Sequence, residues 1–134
     1  WGGLLMAKYR VMQISMTDKQ VEEVNNVSVQ QPYPEWYEKR LATTMSPTAD
    51  AVFAAWDQYK SVAMIDADDL EHVFEIGNMG PEHRIRRHGP PMHSVSVGDV
   101  VVDPACSTAW YVDTCGFGML GTVYHGKAMG YENN

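Results

Sequence analysis

The sequence predicts an α+β fold: a mostly antiparallel sheet of four to five strands with two to three helices on one face. Three observations carry that expectation. Residues 94–103 and 109–115 are the runs densest in strand-forming side chains, and a Pro-containing break separates them. Residues 8–16 form a third strand-like run near the start. Two apolar stripes at helical spacing lie between, each preceded by a helix-start signal.

The elements follow in chain order. In residues 8–16, Tyr9 and Val11 fall on one face and Met12, Ile14 and Met16 on the other, which suits a central strand. Residues 17–26 are polar and end in the turn signal Asn25-Asn26. Residues 27–29 read as a short strand or connector. Pro34 suits the first turn of a helix over 35–42, whose stripe is Trp36, Tyr37, Arg40 and Leu41. Ser46-Pro47 reads as an N-cap followed by proline at the first helical position, opening a helix over 47–58 with Val52, Phe53 and Trp56 inward. Residues 59–65 alternate as a strand. Asp66 then caps a helix over 67–76, with Leu70, Val73 and Phe74 as its stripe and Gly77 as its stop.

The last third is a hairpin. Val95 and Val97 alternate with Ser94 and Ser96, and Gly98-Asp99 interrupts as a turn or bulge. Val100, Val101 and Val102 form an unbroken β-branched run, as in a strand covered on both faces. The chain returns through Trp110, Tyr111 and Val112. Gly116 and Gly118 flank Phe117, which marks a kinked strand end or a close backbone approach. Residues 119–124 add a further short strand.

The stretch Ser94-x-Ser96-Val97-x-Asp99-Val100, followed by Trp110-Tyr111-Val112-Asp113-x-x-Gly116-Phe117, resembles the small YodL-like domains of phages, plasmids and their bacterial hosts. Residues 63–74 are similar in character to the same group, so the likeness covers about 60–120. It implies a fold neighbourhood and a mobile-element origin, and no reaction. Val97-Gly98-Asp99-Val100 before a hairpin is also similar to compact RNA-binding barrels of the PUA kind, so a small half-open barrel is the alternative architecture.

At 134 residues the chain reads as one domain, with residues 1–7 a leader or added remnant, Met6 the natural start and residues 126–134 a tail. No apolar run approaches the ~18 residues of a membrane span, and the start lacks the basic flank of a signal peptide. The formal net charge of −7 argues against general nucleic-acid affinity. Cys106 and Cys115 should stand at opposite ends of the returning strand, too far apart to bond, so free thiols and a cytoplasmic setting are expected.

The sharpest local feature is a charge switch. Residues 66–82 carry Asp66, Asp68, Asp69, Glu71, Glu75 and Glu82 with no Lys or Arg; residues 83–93 carry Arg84, Arg86, Arg87 and three histidines with no acid. One reading makes Arg84, Arg86, Arg87 and His88 an anion- or partner-binding loop. The other folds these arginines back onto the acids. His83, His88 and His93 are five apart, which is not metal-ligand spacing, so neither a metal nor another cofactor is expected. Cys115 beside His93 or His125 would need a depressed thiol pKa to act as a nucleophile, and the plainer reading is a small buried hydrophobe. Asp99, Asp103 and Asp113 read as turn and strand-edge residues.

With no nucleotide-binding or hydrolase motif, no catalytic residue is assigned. Nine methionines and four tryptophans are many for this length, and Trp36, Tyr37, Trp110 and Tyr111 are the candidate protein interface. The expected function is therefore a non-catalytic accessory protein that binds a host protein or itself. Nucleotide or nucleic-acid binding through the arginine loop and a Cys/His/Asp enzyme are the alternatives.

Overall fold

The structure is a computed structural model that describes residues 7–28, 31–124 and 127–128. Its strands are β1 (Ala7–Ile14), β2 (Tyr59–Ala67), β3 (Ile85–Arg87), β4 (Val100–Asp103), β5 (Thr108–Asp113), β6 (Gly116–Tyr124) and β7 (Lys127–Ala128). Its α-helices are α1 (Asp18–Asn25), α2 (Glu35–Met45), α3 (Ala49–Ala54) and α4 (Leu70–Met79), with single 3-10 turns at Trp56–Gln58 and Glu82–Arg84. The α+β class and the antiparallel sheet are as the sequence predicts. The sheet runs β3-β2-β1-β4-β5-β6, extended at one end by the two-residue β7, and is not closed into a barrel.

The sheet is wider than four to five strands, and helices cover both of its faces rather than one. Strand alternation explains why. Val100, Val101 and Val102 are all buried, although neighbours on a strand point to opposite sides. Val101 joins Tyr9, Val11, Ala63, Ile65 and Val112 against Val73 and Ile76 of α4. Val100 and Val102 join Met12, Ile14, Ala109 and Leu120 against Val52 of α3. A bulge makes the second core possible. Val11 pairs with Ala63 but Met12 pairs with Ser61, leaving Val62 as the extra residue. The shift turns Tyr59 to the side of Ile14, where it is buried.

Several boundaries differ from expectation for physical reasons. Residues 17–26 are helical: Thr17 and Gln20 form a reciprocal capping box, and no residue of α1 is buried, so the local cap rather than a core stripe marks it. Thr48, not Ser46, caps α3; Ser46 is spent ending α2. Asp66 stays in β2, and Asp69 caps α4 by accepting from His72 N at 2.9 Å. Gly77 lies inside that helix, which runs on to Gly80. Residues 94–99 pair with no strand over most of their length, although Val95 is buried in the first core. Ala7, expected in the leader, opens β1, and Lys127–Ala128, expected in the tail, pair with Val123 and Tyr124. Val29, His125 and most of the tail lie outside the described residues.

Candidate functional site

The arginine loop is an edge strand. Ile85 points inward and is buried, while Arg86 and Arg87 project outward. Arg86 grips Asp66 with both terminal nitrogens, at 2.7 and 2.8 Å, holding that carboxyl below its ordinary pKa and raising its own. Arg87 binds Glu82 in the same forked way, at 2.6 and 3.3 Å. Arg84 Nη1 lies 3.5 Å from His72 Nε2. His88 Nε2 lies 2.7 Å from Ser61 Oγ, which also accepts from Arg10 at 2.8 Å. Of the two readings of this loop, Arg86 and Arg87 adopt the one in which they fold back on the acids. An incoming anion would have to displace Asp66 and Glu82.

A second cluster was not singled out by the sequence. Gln13, fully buried near the end of β1, donates from Nε2 to His93 O and to Asp99 Oδ2, both at 2.9 Å, and accepts from His93 N at 3.1 Å. Its carboxamide stands in for the backbone of a strand that is missing there. Asp99 Oδ2 also accepts from Ser96 N at 2.9 Å, and His93 Nδ1 lies 4.0 Å away. Tyr59 donates its hydroxyl to Gly98 O at 2.5 Å, and burial holds that phenol well above its usual pKa. Gly98 is required: its φ is +92°, and a Cβ would fall 2.7 Å from Thr43 O. A cavity of about 80 Å³ adjoins the cluster, lined in part by Arg40, Thr43, His93 and Asp99. Burial pushes the Asp99 carboxyl up to about 6, against opposing hydrogen bonds from Ser96 and Gln13 and the charge of His93. The cluster clasps residues 93–99 to the sheet. The two donors to Asp99, Gln13 Nε2 and Ser96 N, converge on one of its oxygens.

The candidates for thiol chemistry are dispersed. Cys106 lies in the turn before β5 and Cys115 in the turn after it; both are free and exposed, so Cys115 is not the buried hydrophobe expected. His93 sits with Asp99, in the clasp. Asp103 Oδ1 accepts from Ala105 N, and Asp113 Oδ1 from Thr114 N. Among the described residues no three His, Cys, Asp or Glu side chains are placed to hold a metal ion.

The four candidate interface aromatics do not form one patch. Tyr37 packs between Tyr33 and Trp36, with ring centroids 4.8 and 5.7 Å away. Trp110 and Tyr111 are neighbours on β5 and therefore face opposite sides of the sheet. Tyr111 lies over Gly118, its partner in register, where a Cβ would collide with the ring at 2.2 Å. That is the close approach the glycine predicts. Trp110 shares the α4 side with Val112 and stands across from Met119, which is 66% exposed.

On that same side a groove of about 270 Å³ separates α4 from the β5–β6 turn. Glu71 and Phe74 line it from the helix, and Val112, Asp113, Thr114, Gly116 and Phe117 from the hairpin. Phe74, expected inward, is 40% exposed because Val73 and Ile76 take the buried positions of α4. Beside the groove runs the outer edge of β6. Among the described residues the outer side of β6 pairs at Val123 and Tyr124, with β7, and the stretch of β6 that precedes this pairing is 116–122. That stretch carries no charge and no proline. Sequence reasoning could not assemble this surface, since Glu71 and Phe117 meet only through the packing of α4.

The chain matches no protein-family model, and neither a curated protein nor a solved structure matches it significantly.

Proposed function

We propose that the chain is a small non-catalytic interaction protein, of the accessory type that phages and plasmids carry, which binds a host protein or a second copy of itself in the cytoplasm. The observation that supports this reading most is a groove of about 270 Å³ lined by Phe74, Val112 and Phe117, with Phe74 and Met119 both exposed on the same side of the sheet. Exposed large apolar side chains gathered beside a groove mark a surface that a partner can cover. Nucleotide or nucleic-acid binding through the arginines has less support, because Arg86 and Arg87 already hold carboxylates. A Cys/His/Asp enzyme has less again, because neither thiol lies in the Asp99–His93 cluster.

A photo-crosslinking amino acid at Met119 tests the reading. Crosslinks to one discrete partner, or to a second copy, are expected from that position, and Phe74→Glu should abolish them. Equal crosslinking from a control position at Glu23 on α1, or indifference to Phe74→Glu, defeats it.

A further inference from the structure

Building on that reading, we infer that the groove beside α4 receives an arginine side chain of the partner protein, its aliphatic stem lying against Phe74 and Phe117 and its guanidinium shared between Glu71 and Asp113.

Three features argue for this occupant. First, the groove joins two kinds of surface. Val112, Phe74 and Phe117 make it apolar, while Glu71 and Asp113 add carboxylates. A long cationic side chain matches both, since it lays an apolar stem on apolar surface and carries its charge at the far end. Second, both carboxylates have acceptor capacity to spare. Among the described residues Glu71 has no hydrogen-bond or ion-pair partner, and Asp113 accepts at Oδ1 alone, from Thr114 N at 2.7 Å and Thr114 Oγ1 at 3.4 Å. No Lys, Arg or His lines the groove. Arg86 and Arg87 stand on β3, at the other end of the sheet, where Asp66 and Glu82 occupy them. Third, a groove of about 270 Å³ is smaller than the roughly 300–1,000 Å³ that encloses a free small molecule, and it suits one anchoring side chain of a larger partner.

Arginine fits this place better than lysine. Its planar guanidinium carries five donors, so it can serve two carboxylates at once and lie flat on an aromatic ring, whereas an ammonium acts as a point charge. Charge also argues against a second copy. Two-fold pairing of this face with itself brings two copies of Glu71 and Asp113 to one interface, in a chain whose net charge is already −7.

The test uses the full chain, labelled with nitrogen-15, and three capped tripeptides. Each has leucine at both ends and, in the middle, arginine, lysine or citrulline, the uncharged analogue of arginine. At millimolar concentration the arginine peptide should shift backbone amides at 71–75 and 112–117, less so as salt is raised. The lysine peptide should bind more weakly, and the citrulline peptide should leave those amides unmoved. Glu71→Gln and Asp113→Asn should each weaken arginine-peptide binding by roughly fivefold, the scale of a partly exposed ion pair. Both variants should keep the wild-type spectrum elsewhere, because Glu71 is exposed and an asparagine amide oxygen can still accept from Thr114 N. The inference is overturned if the lysine or citrulline peptide binds as well as the arginine one, if neither substitution weakens binding, if shifts centre away from the groove, if no peptide binds, or if the groove amides shift with the chain's own concentration alone. Should Met119 crosslinking still depend on Phe74 while no peptide binds, the interaction reading stands and the arginine inference falls. Should both fail, both are wrong.

Discussion

Replacing Asp99 with asparagine is expected to stabilise the fold at neutral pH, and the size of the gain can be worked out from the clasp. Asp99 is 5% exposed, and its carboxyl is pushed up to about 6 in the folded chain, against an ordinary value of 3.8, because burial penalises its charge. Between those two values the folded state holds a proton that the unfolded state has released. Stability contributed by this group therefore falls as pH rises from about 4 to about 6, and above that range the ionised form costs the fold about 3 kcal/mol. Asparagine can place its oxygen where Asp99 Oδ2 stands and still accept from Gln13 Nε2 and Ser96 N.

The variant should match the wild type near pH 4 and exceed it by up to about 3 kcal/mol at pH 7 to 8, which is roughly 10 °C in Tm for a chain of this size. Urea unfolding of both proteins across pH 4 to 8 measures the difference directly. Taking the difference cancels carboxylates of opposite sign, such as Asp66, whose pairing with Arg86 stabilises above its unfolded pKa and is lost at more acid pH. A difference that stays flat across the range, or that moves in favour of the wild type as pH rises, would refute the reasoning.

Three further outcomes are expected. Gly77→Ala adds a Cβ 2.3 Å from Val95 Cγ2 in a packed helix interface, so it should destabilise by about 1–3 kcal/mol in urea unfolding, despite alanine's better helix propensity. Arg86→Ala breaks a forked but largely solvated pair and should lower the urea midpoint only slightly, by an amount that shrinks at high salt. Both thiols should react with Ellman's reagent in the folded protein before any denaturant is added, because Cys106 and Cys115 are exposed in turns.

What the sequence reveals is largely what local pattern controls. The alternation in β1 assigns Tyr9 and Val11 to one core and Met12 and Ile14 to the other, as the structure does. The unbroken valine run at 100–102 reads as doubly covered, and taken at its word it already implies helices on both faces. The misplaced boundaries are those that long-range pairing decides. Asp66 and Asp69 are equally good caps on local grounds. Asp66 is claimed by β2, where it sits opposite Lys8 and within reach of Arg86. Ile85 is the only apolar residue between Pro81 and Gly89 in that charged stretch, and a strand of three residues exists there because β2 offers it an edge. The clasp was invisible for a similar reason: a glutamine on a strand carries no sign that its amide will bind a segment 80 residues away.

The clasp and the groove share α4. Its N-terminal half lines the groove through Glu71 and Phe74. Its C-terminal half rests on the clasped segment: Gly77 lies directly against Val95, and Asn78 donates to Val95 O at 2.9 Å and to Phe74 O at 2.7 Å. Residues 93–99 have almost no ladder of their own, so Gln13 and Asp99 hold Val95 under the helix. A rigid ten-residue helix transmits that support along its length, because it cannot tilt at one end without moving the other. The cost of burying Asp99 is thus a cost of seating α4. The exposed aromatic ring that opens the groove is positioned by a polar network which lines no part of it.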